Sequence, residues 1–128
     1  MGEAKVVIVE DDPLMAQTTA SIIELYGYEP LIFDNALSAL EAIPVEKPGL
    51  VLLDLNLPGG MNGVDICRQI KGNPEIADTP VIIISGEGHP QAIQEAIEAG
   101  VARYLVKPIG MDDLEKAIAE ALREQPDS

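Results

Sequence analysis

The sequence predicts an α/β domain in which a parallel five-stranded sheet carries helices on both faces, and three observations lead there. Runs of consecutive apolar residues at 6–9, 50–53 and 81–84 show no polar alternation, which is the pattern of strands covered on both sides. Between them stand stretches with apolar residues at helical spacing, opened by Asx or Pro and closed by Gly. Strand and helix patterns alternate five times with short connections, the order of a sheet built from βα units. The units share no sequence signature, so the chain is not a solenoid.

The first strand, 6–9, ends in Glu10-Asp11-Asp12, and Pro13 opens the first helix. Pro is favoured at the first helical position behind an Asx cap, which makes Asp12 the expected N-cap. Leu14, Thr18, Ile22, Leu25 and Tyr26 follow at helical spacing as the expected inward face, and Gly27 closes the helix. The second strand, Glu29–Phe33, contains Pro30 and therefore belongs at a sheet edge. Asp34 or Asn35 caps the second helix, whose inward residues read as Leu37, Leu40 and Ile43 and whose end reads as Pro44. Lys47-Pro48-Gly49 turns the chain into the third strand, 50–54, and the turn Pro58-Gly59-Gly60 follows. Gly63 leads into a third helix with Val64, Cys67 and Ile70 on one face, ending near Gly72-Asn73-Pro74. Residues 75–80 form a loop, 81–84 the fourth strand, and Ser85-Gly86-Glu87-Gly88 its exit. Pro90 starts a fourth helix with Ile93, Ala96 and Ile97 inward, closed at Gly100. The fifth strand, 102–106, ends in Lys107-Pro108. The last helix has the clearest helical period, Leu114, Ala117, Ile118, Ala121 and Leu122, with Asp112 and Asp113 at its positive end.

At 128 residues the chain is one domain, read as residues 1–124 with a polar tail at 125–128. Cys67 is the single cysteine, so no internal disulfide forms and a reducing cytoplasm is the expected compartment. No apolar run approaches the length that spans a bilayer, and the first residues lack a signal-peptide core. A formal charge of −14, from 22 acidic and 8 basic residues, argues against a nucleic-acid or anionic-lipid surface, since either calls for clustered Lys and Arg. Most of these acids read as a solvated surface that favours solubility. A cation is the ligand such a charge suits.

In parallel sheets ligands bind beyond the carboxyl ends of the strands. Those ends carry, in strand order, Glu10-Asp11-Asp12, Asp34, Asp54, Ser85 and Lys107. With the strand order 2-1-3-4-5, all of these except Asp34 converge on one crevice at the switch point between strands 1 and 3. Carboxylates packed together repel by up to about 4 kcal/mol per pair at about 4 Å and an effective dielectric of about 20, and a divalent cation removes that repulsion. Hard oxygen ligands with room for water suit Mg²⁺. An Asp carboxylate can attack phosphorus and carry an aspartyl phosphate. The group in transfer needs cations and hydrogen-bond donors around its oxygens, which Lys107 and the Ser85 hydroxyl offer.

This set, Glu10-Asp11, Asp54, Ser85 and Lys107-Pro108 on successive strand ends, resembles the receiver domain of response regulators from two-component signalling. The likeness covers essentially the whole chain and has the character of a single-domain chemotaxis regulator. It implies a flavodoxin-like (βα)5 three-layer sandwich. It also implies a phosphoprotein switch for signal transduction or a phosphorelay, with Mg²⁺-dependent transfer from a sensor histidine kinase or histidine phosphotransfer protein to Asp54. By the same resemblance Asp11 and Asp54 hold Mg²⁺ directly, Glu10 through water, and Asn56 through its main-chain carbonyl. Ser85 matches the hydroxyl residue that turns toward the phosphoryl group, and Lys107 pairs with the phosphoryl oxygens. The Lys107–Pro108 bond is expected to be cis, and Tyr104 matches the aromatic that swings inward with the hydroxyl. Asn56 and Glu87 resemble the pair that tunes phosphoryl lifetime in chemotaxis regulators. A downstream protein target would meet the face of the fourth helix, fifth strand and last helix, with Gln94, Glu95, Glu98, Arg103 and Lys116 on it. The domain itself would meet neither nucleic acid nor membrane, and would catalyse only its own phosphorylation and dephosphorylation.

Two departures stand out. The turn Pro58-Gly59-Gly60-Met61-Asn62-Gly63 is one residue longer than the family's usual version. Gly110 opens the last helix where the family commonly has Asp, a change that weakens a cap by only about a few tenths of a kcal/mol. Rival readings lack support. A phosphohydrolase of the haloacid dehalogenase type places a second Asp two positions after its nucleophile, where Asn56 stands, and needs a cap domain. A docking module without chemistry generally lacks one of the key groups, and none is missing. A flavin-binding electron carrier wants a hydroxyl-rich phosphate loop where Glu10-Asp11-Asp12 would repel the phosphate. Met1 directly ahead of the first strand gives the expectation of an N-terminal receiver, not the C-terminal receiver of a hybrid kinase. His89 reads as a loop or cap residue and Cys67 as core filling.

Overall fold

Strands β1 (Lys5–Val9), β2 (Glu29–Phe33), β3 (Leu50–Asp54), β4 (Val81–Ser85) and β5 (Arg103–Val106) alternate with helices α1 (Pro13–Leu25), α2 (Ala36–Glu46), α3 (Gly63–Lys71), α4 (Pro90–Glu98) and α5 (Met111–Arg123). They are seen in a computed structural model that describes residues 4–55, 57, 61–86 and 88–123. The strands pair in parallel in the order β2-β1-β3-β4-β5, as the carboxyl-end convergence requires. Val7 lies opposite Leu31 and Val51, and Ile83 opposite Leu53 and Tyr104.

The unbroken apolarity of the strands follows from two cores. Successive side chains of a strand point to opposite faces. Val7, Val9, Val51, Leu53, Val81 and Ile83 therefore pack with α2, α3 and α4, while Val6, Ile8, Leu50, Leu52 and Ile82 pack with α1 and α5. Each such side chain, once fully buried, contributes about 1.5–3 kcal/mol.

The helix starts follow the predicted chemistry. Asp12 Oδ1 accepts from the amides of Leu14 and Met15 at 2.9 and 3.4 Å. Asn35, not Asp34, caps α2, accepting from the Ser38 amide at 2.8 Å. Gly27 and Gly100, with φ of +84° and +99°, close α1 and α4 in a conformation that other residues rarely adopt.

Pro30 sits on the edge strand, as expected. The Glu29 amide donates to the Ala4 carbonyl and the Glu10 amide to the Phe33 carbonyl. Alternate residues thus face β1, and the nitrogen of Pro30 points outward, where no ladder bond is lost.

Pro44 does not end α2, which continues to Glu46 before Lys47 turns left-handed at φ +48°. One amide bond is forfeited this close to the helix end, and the extra turn lets the Lys47 amide satisfy the Ile43 carbonyl at 2.9 Å. The inward faces of three helices also differ from the leucine spacing. Leu14, Leu25, Leu37 and Ile97 are 75, 81, 68 and 57 % exposed, Tyr26 is exposed too, and so is Thr18. The buried positions are Ala16, Thr19, Ala20, Ile22 and Ile23 on α1, Ala36, Ala39 and Ile43 on α2, and Ala96 on α4. A helix lying on a sheet of Val and Ile side chains comes close through its small residues and leaves longer ones at the rim. In α3 and α5 the predicted faces hold, with Val64, Cys67, Ile70, Ala117, Ile118 and Ala121 all buried. No helix among the described residues is long and apolar enough to cross a membrane.

Candidate functional site

The carboxyl ends of β1 and β3 bring three acids together. One carboxylate oxygen from each of Glu10, Asp11 and Asp54 lies within 4.8 Å of the others. The arrangement follows from the topology: β1 and β3 are neighbours, with Val9 opposite Leu53, so both strands exit at the same height. Asp12 is drawn out of the cluster by its capping bonds. Asp34, at the end of the edge strand, is exposed and accepts from the Asn35 amide group at 2.7 Å, outside the cluster as expected.

Glu10 is half-buried, and its Oε2 accepts from the Asp12 amide at 3.2 Å. Burial pushes its carboxyl up to about 7; the Asp54 charge and a hydrogen bond with Asp54 add to this, while the Asp12 amide and the Lys107 ammonium oppose it. Lys107 is therefore close enough to act on Glu10. Its amide donates to the Ser85 carbonyl at 2.7 Å, which locks the exit of β5 to that of β4, and the Lys107–Pro108 peptide is cis. Ser85 is wholly buried at 0 % exposure. Tyr104, half-buried on β5, packs against the core of the α3–α4 side. Asn56 and Glu87 lie outside the described residues, as do Pro58, Gly59 and Gly60. Oxygen-only donors crowded around a carboxyl held partly neutral form a set that suits a hard divalent cation such as Mg²⁺.

His89 is the exposed N-cap of α4 and makes no side-chain capping bond. The Cys67 thiol is buried and donates to the Ala99 carbonyl at 3.3 Å. Both match their structural readings. Sequence reasoning took Gly63 only as the lead into α3, whereas the structure sets it against the backbone of Asp54. A glycine at a helix start not far beyond a strand-end acid was the available signal.

A profile of the response regulator receiver domain matches residues 6–119. This chain belongs to that family. Phosphoryl acceptance is the general function of receiver domains in two-component signalling, and histidine kinases are their partners. This receiver is 32 % identical over 124 residues to the transcriptional regulatory protein CrdR of Helicobacter pylori, covering 97 % of this chain and 57 % of that protein. The chain spans about half the length of the curated relatives it matches. Among solved structures, a CheY-like receiver domain protein from Methanospirillum hungatei superposes with a TM-score of 0.87 at 30 % identity, covering 97 % of both chains. The BeF3-activated N-terminal receiver domain of Klebsiella pneumoniae RstA gives 0.86 at 28 % identity, covering 94 % of this chain and 99 % of that one.

Proposed function

We propose that this receiver, residues 1–124, is a phosphorylation switch whose acceptor is Asp54 and whose donor is a phosphohistidine of a sensor kinase or phosphotransfer protein. The observation that carries the reading is the meeting of Glu10, Asp11 and Asp54 at the carboxyl end of the sheet, with the Lys107 ammonium near enough to act on Glu10. In the transfer an Asp54 carboxylate oxygen attacks phosphorus in line. The P–N bond to the donor imidazole breaks, and its electron pair stays on that nitrogen. Lys107 pairs with the phosphoryl oxygens and the Ser85 hydroxyl turns to donate to one of them, so developing charge is met by a cation and a hydrogen-bond donor. In-line attack by water later frees inorganic phosphate, and the domain turns over no other substrate.

Asp11 and Asp54 would hold Mg²⁺ directly, Glu10 through water, and the Asn56 carbonyl would complete the protein's share. When bound, the ion supplies positive charge that offsets the carboxylates and the phosphoryl oxygens. Asn56 and Glu87 flank the site in sequence and would tune the lifetime of the phosphoryl group.

Ser85 and Tyr104 couple occupancy of the site to the face of α4, β5 and α5. Gln94, Glu95, Glu98, Arg103 and Lys116 are exposed there and available to a downstream protein. The shift must draw its free energy from contacts made only in the phosphorylated state. The BeF3-activated relative supports activation of this fold by an analogue of the phosphoryl group. The receiver itself touches neither DNA nor membrane and works in the cytoplasm.

Intact mass after incubation with acetyl phosphate, with and without Mg²⁺, tests the reading. The wild type is expected to gain the mass of one phosphoryl group only with Mg²⁺, and Asp54→Asn to gain none. A folded wild type that gains nothing under either condition overturns it.

A further inference from the structure

Gly63 is buried and opens α3 against the end of β3. A methyl group at its Cα would stand 2.8 Å from the carbonyl oxygen of Asp54, 3.3 Å from the Cα of Leu55 and 3.4 Å from the carbonyl carbon of Asp54. All three are backbone atoms, so none can swing aside as a side chain would. The Gly63 amide donates to the Leu55 carbonyl at 2.9 Å. Asn62 and Asp65 then close the helix start with reciprocal bonds of 3.0 and 3.2 Å. Gly63 does not have a positive φ, unlike Gly27 and Gly100, so backbone conformation does not call for glycine here. Space does.

We propose that Gly63 is a positioning residue for phosphoryl transfer: its missing side chain sets how closely α3 approaches β3 and so where the Asp54 carboxylate stands relative to Glu10, Asp11 and Lys107. The inference rests on Asp54 being the acceptor. Relieving a 2.8 Å contact to the 3.4 Å of ordinary packing moves the two backbones apart by about 0.6 Å. Misplacement of reacting groups by about 1 Å costs roughly 100-fold in rate, so a fall of about tenfold is expected.

The comparison is Gly63→Ala against Val64→Ala. Val64 is buried on the same turn, and its truncation loosens α3 while adding nothing at the strand end. Three quantities are read: the rate of phosphorylation by acetyl phosphate at saturating Mg²⁺, the melting temperature, and the amide ¹H–¹⁵N spectrum of the metal-free protein. Gly63→Ala is expected to lose about tenfold in rate and to shift the Asp54 and Leu55 amides. Val64→Ala is expected to melt at least as early yet keep a near wild-type rate and leave those amides in place. A Gly63→Ala protein that phosphorylates at the wild-type rate, or that loses no more than Val64→Ala, overturns the proposal. If Gly63→Ala does not fold in dilute buffer, the same comparison is made in about 1 M trimethylamine N-oxide, which favours the compact state; a Gly63→Ala protein that still does not fold there shows that the missing side chain serves the fold itself and overturns a positioning role. Failure of the wild type itself to take up a phosphoryl group would overturn the acceptor assignment, a result distinct from any difference between the variants.

Discussion

Glu10 gives the metal-free site a pH response. Its folded pKa, about 7, lies above the unfolded value of 4.5. The stability it contributes is thus fully present below about pH 4.5 and is lost as the pH rises through 7. Above that point Glu10 and Asp54 are both charged and repel. Asp54→Asn is therefore expected to raise the melting temperature of the Mg²⁺-free protein at pH 8, by the equivalent of about 1 kcal/mol after solvent screening. The gain should shrink as the pH falls from 8 to 5 and Glu10 takes up its proton. Thermal melts across that range check it, and a pH-independent difference would count against a shared site. Glu10, Asp11, Asp54, Ser85 and Lys107 were legible in the sequence because each directly follows or ends an apolar run, and a parallel sheet collects such positions at one end. Gly63 was not, because a contact between two backbones leaves no mark on residue type beyond the glycine itself.

At the scale of elements, α3 is joined to the rest of the fold at both ends. Its start touches β3, and at its end Lys71 Nζ donates to the carbonyls of Ala77 and Thr79 at 3.0 and 2.8 Å. These bonds hold the 75–80 loop, which carries the buried Ile76, against the helix that precedes it. Hydrogen bonds from a charged donor are worth about 1.5–3 kcal/mol, and partial exposure lowers that. Lys71→Met is expected to cost about 1–2 kcal/mol, read as a lower urea midpoint with an unchanged slope; a loss below about 0.5 kcal/mol would show that the loop holds without it. Element order, strand bounds and caps were readable from Pro, Gly and Asx positions. The inward faces of α1 and α2 were not, because apolar residues lie all round those helices and the sheet selected alanines over leucines; on the amphipathic α4 only Ile97 falls outside the buried face. Pro44 was misread because a proline near a helix end loses too little to stop it.

Across the whole molecule the formal charge of −14 leaves the folded state under self-repulsion that three ion pairs among the described residues, Lys5–Glu46, Asp65–Arg68 and Arg103–Glu120, relieve only locally. Added salt shortens the screening length from about 30 Å at 0.01 M to about 10 Å at 0.1 M. The melting temperature in Mg²⁺-free buffer is expected to rise by roughly 3–5 °C between 0.01 and 0.5 M NaCl, the shift that about 1 kcal/mol produces in a domain of this size. A flat or falling profile would mean that the acids are too far apart to matter.

The outward nitrogen of Pro30 bears on how copies of this chain behave toward one another. An exposed edge strand offers a row of amides on which a second chain can add its own strand, the first step of open-ended polymerisation. β2 has Pro30 in that row, leaving a gap where an incoming strand would seek a donor. The same residue that costs the native ladder nothing therefore makes β2 a poor template, and discourages the edge-to-edge growth by which crowded copies would otherwise be drawn into fibres.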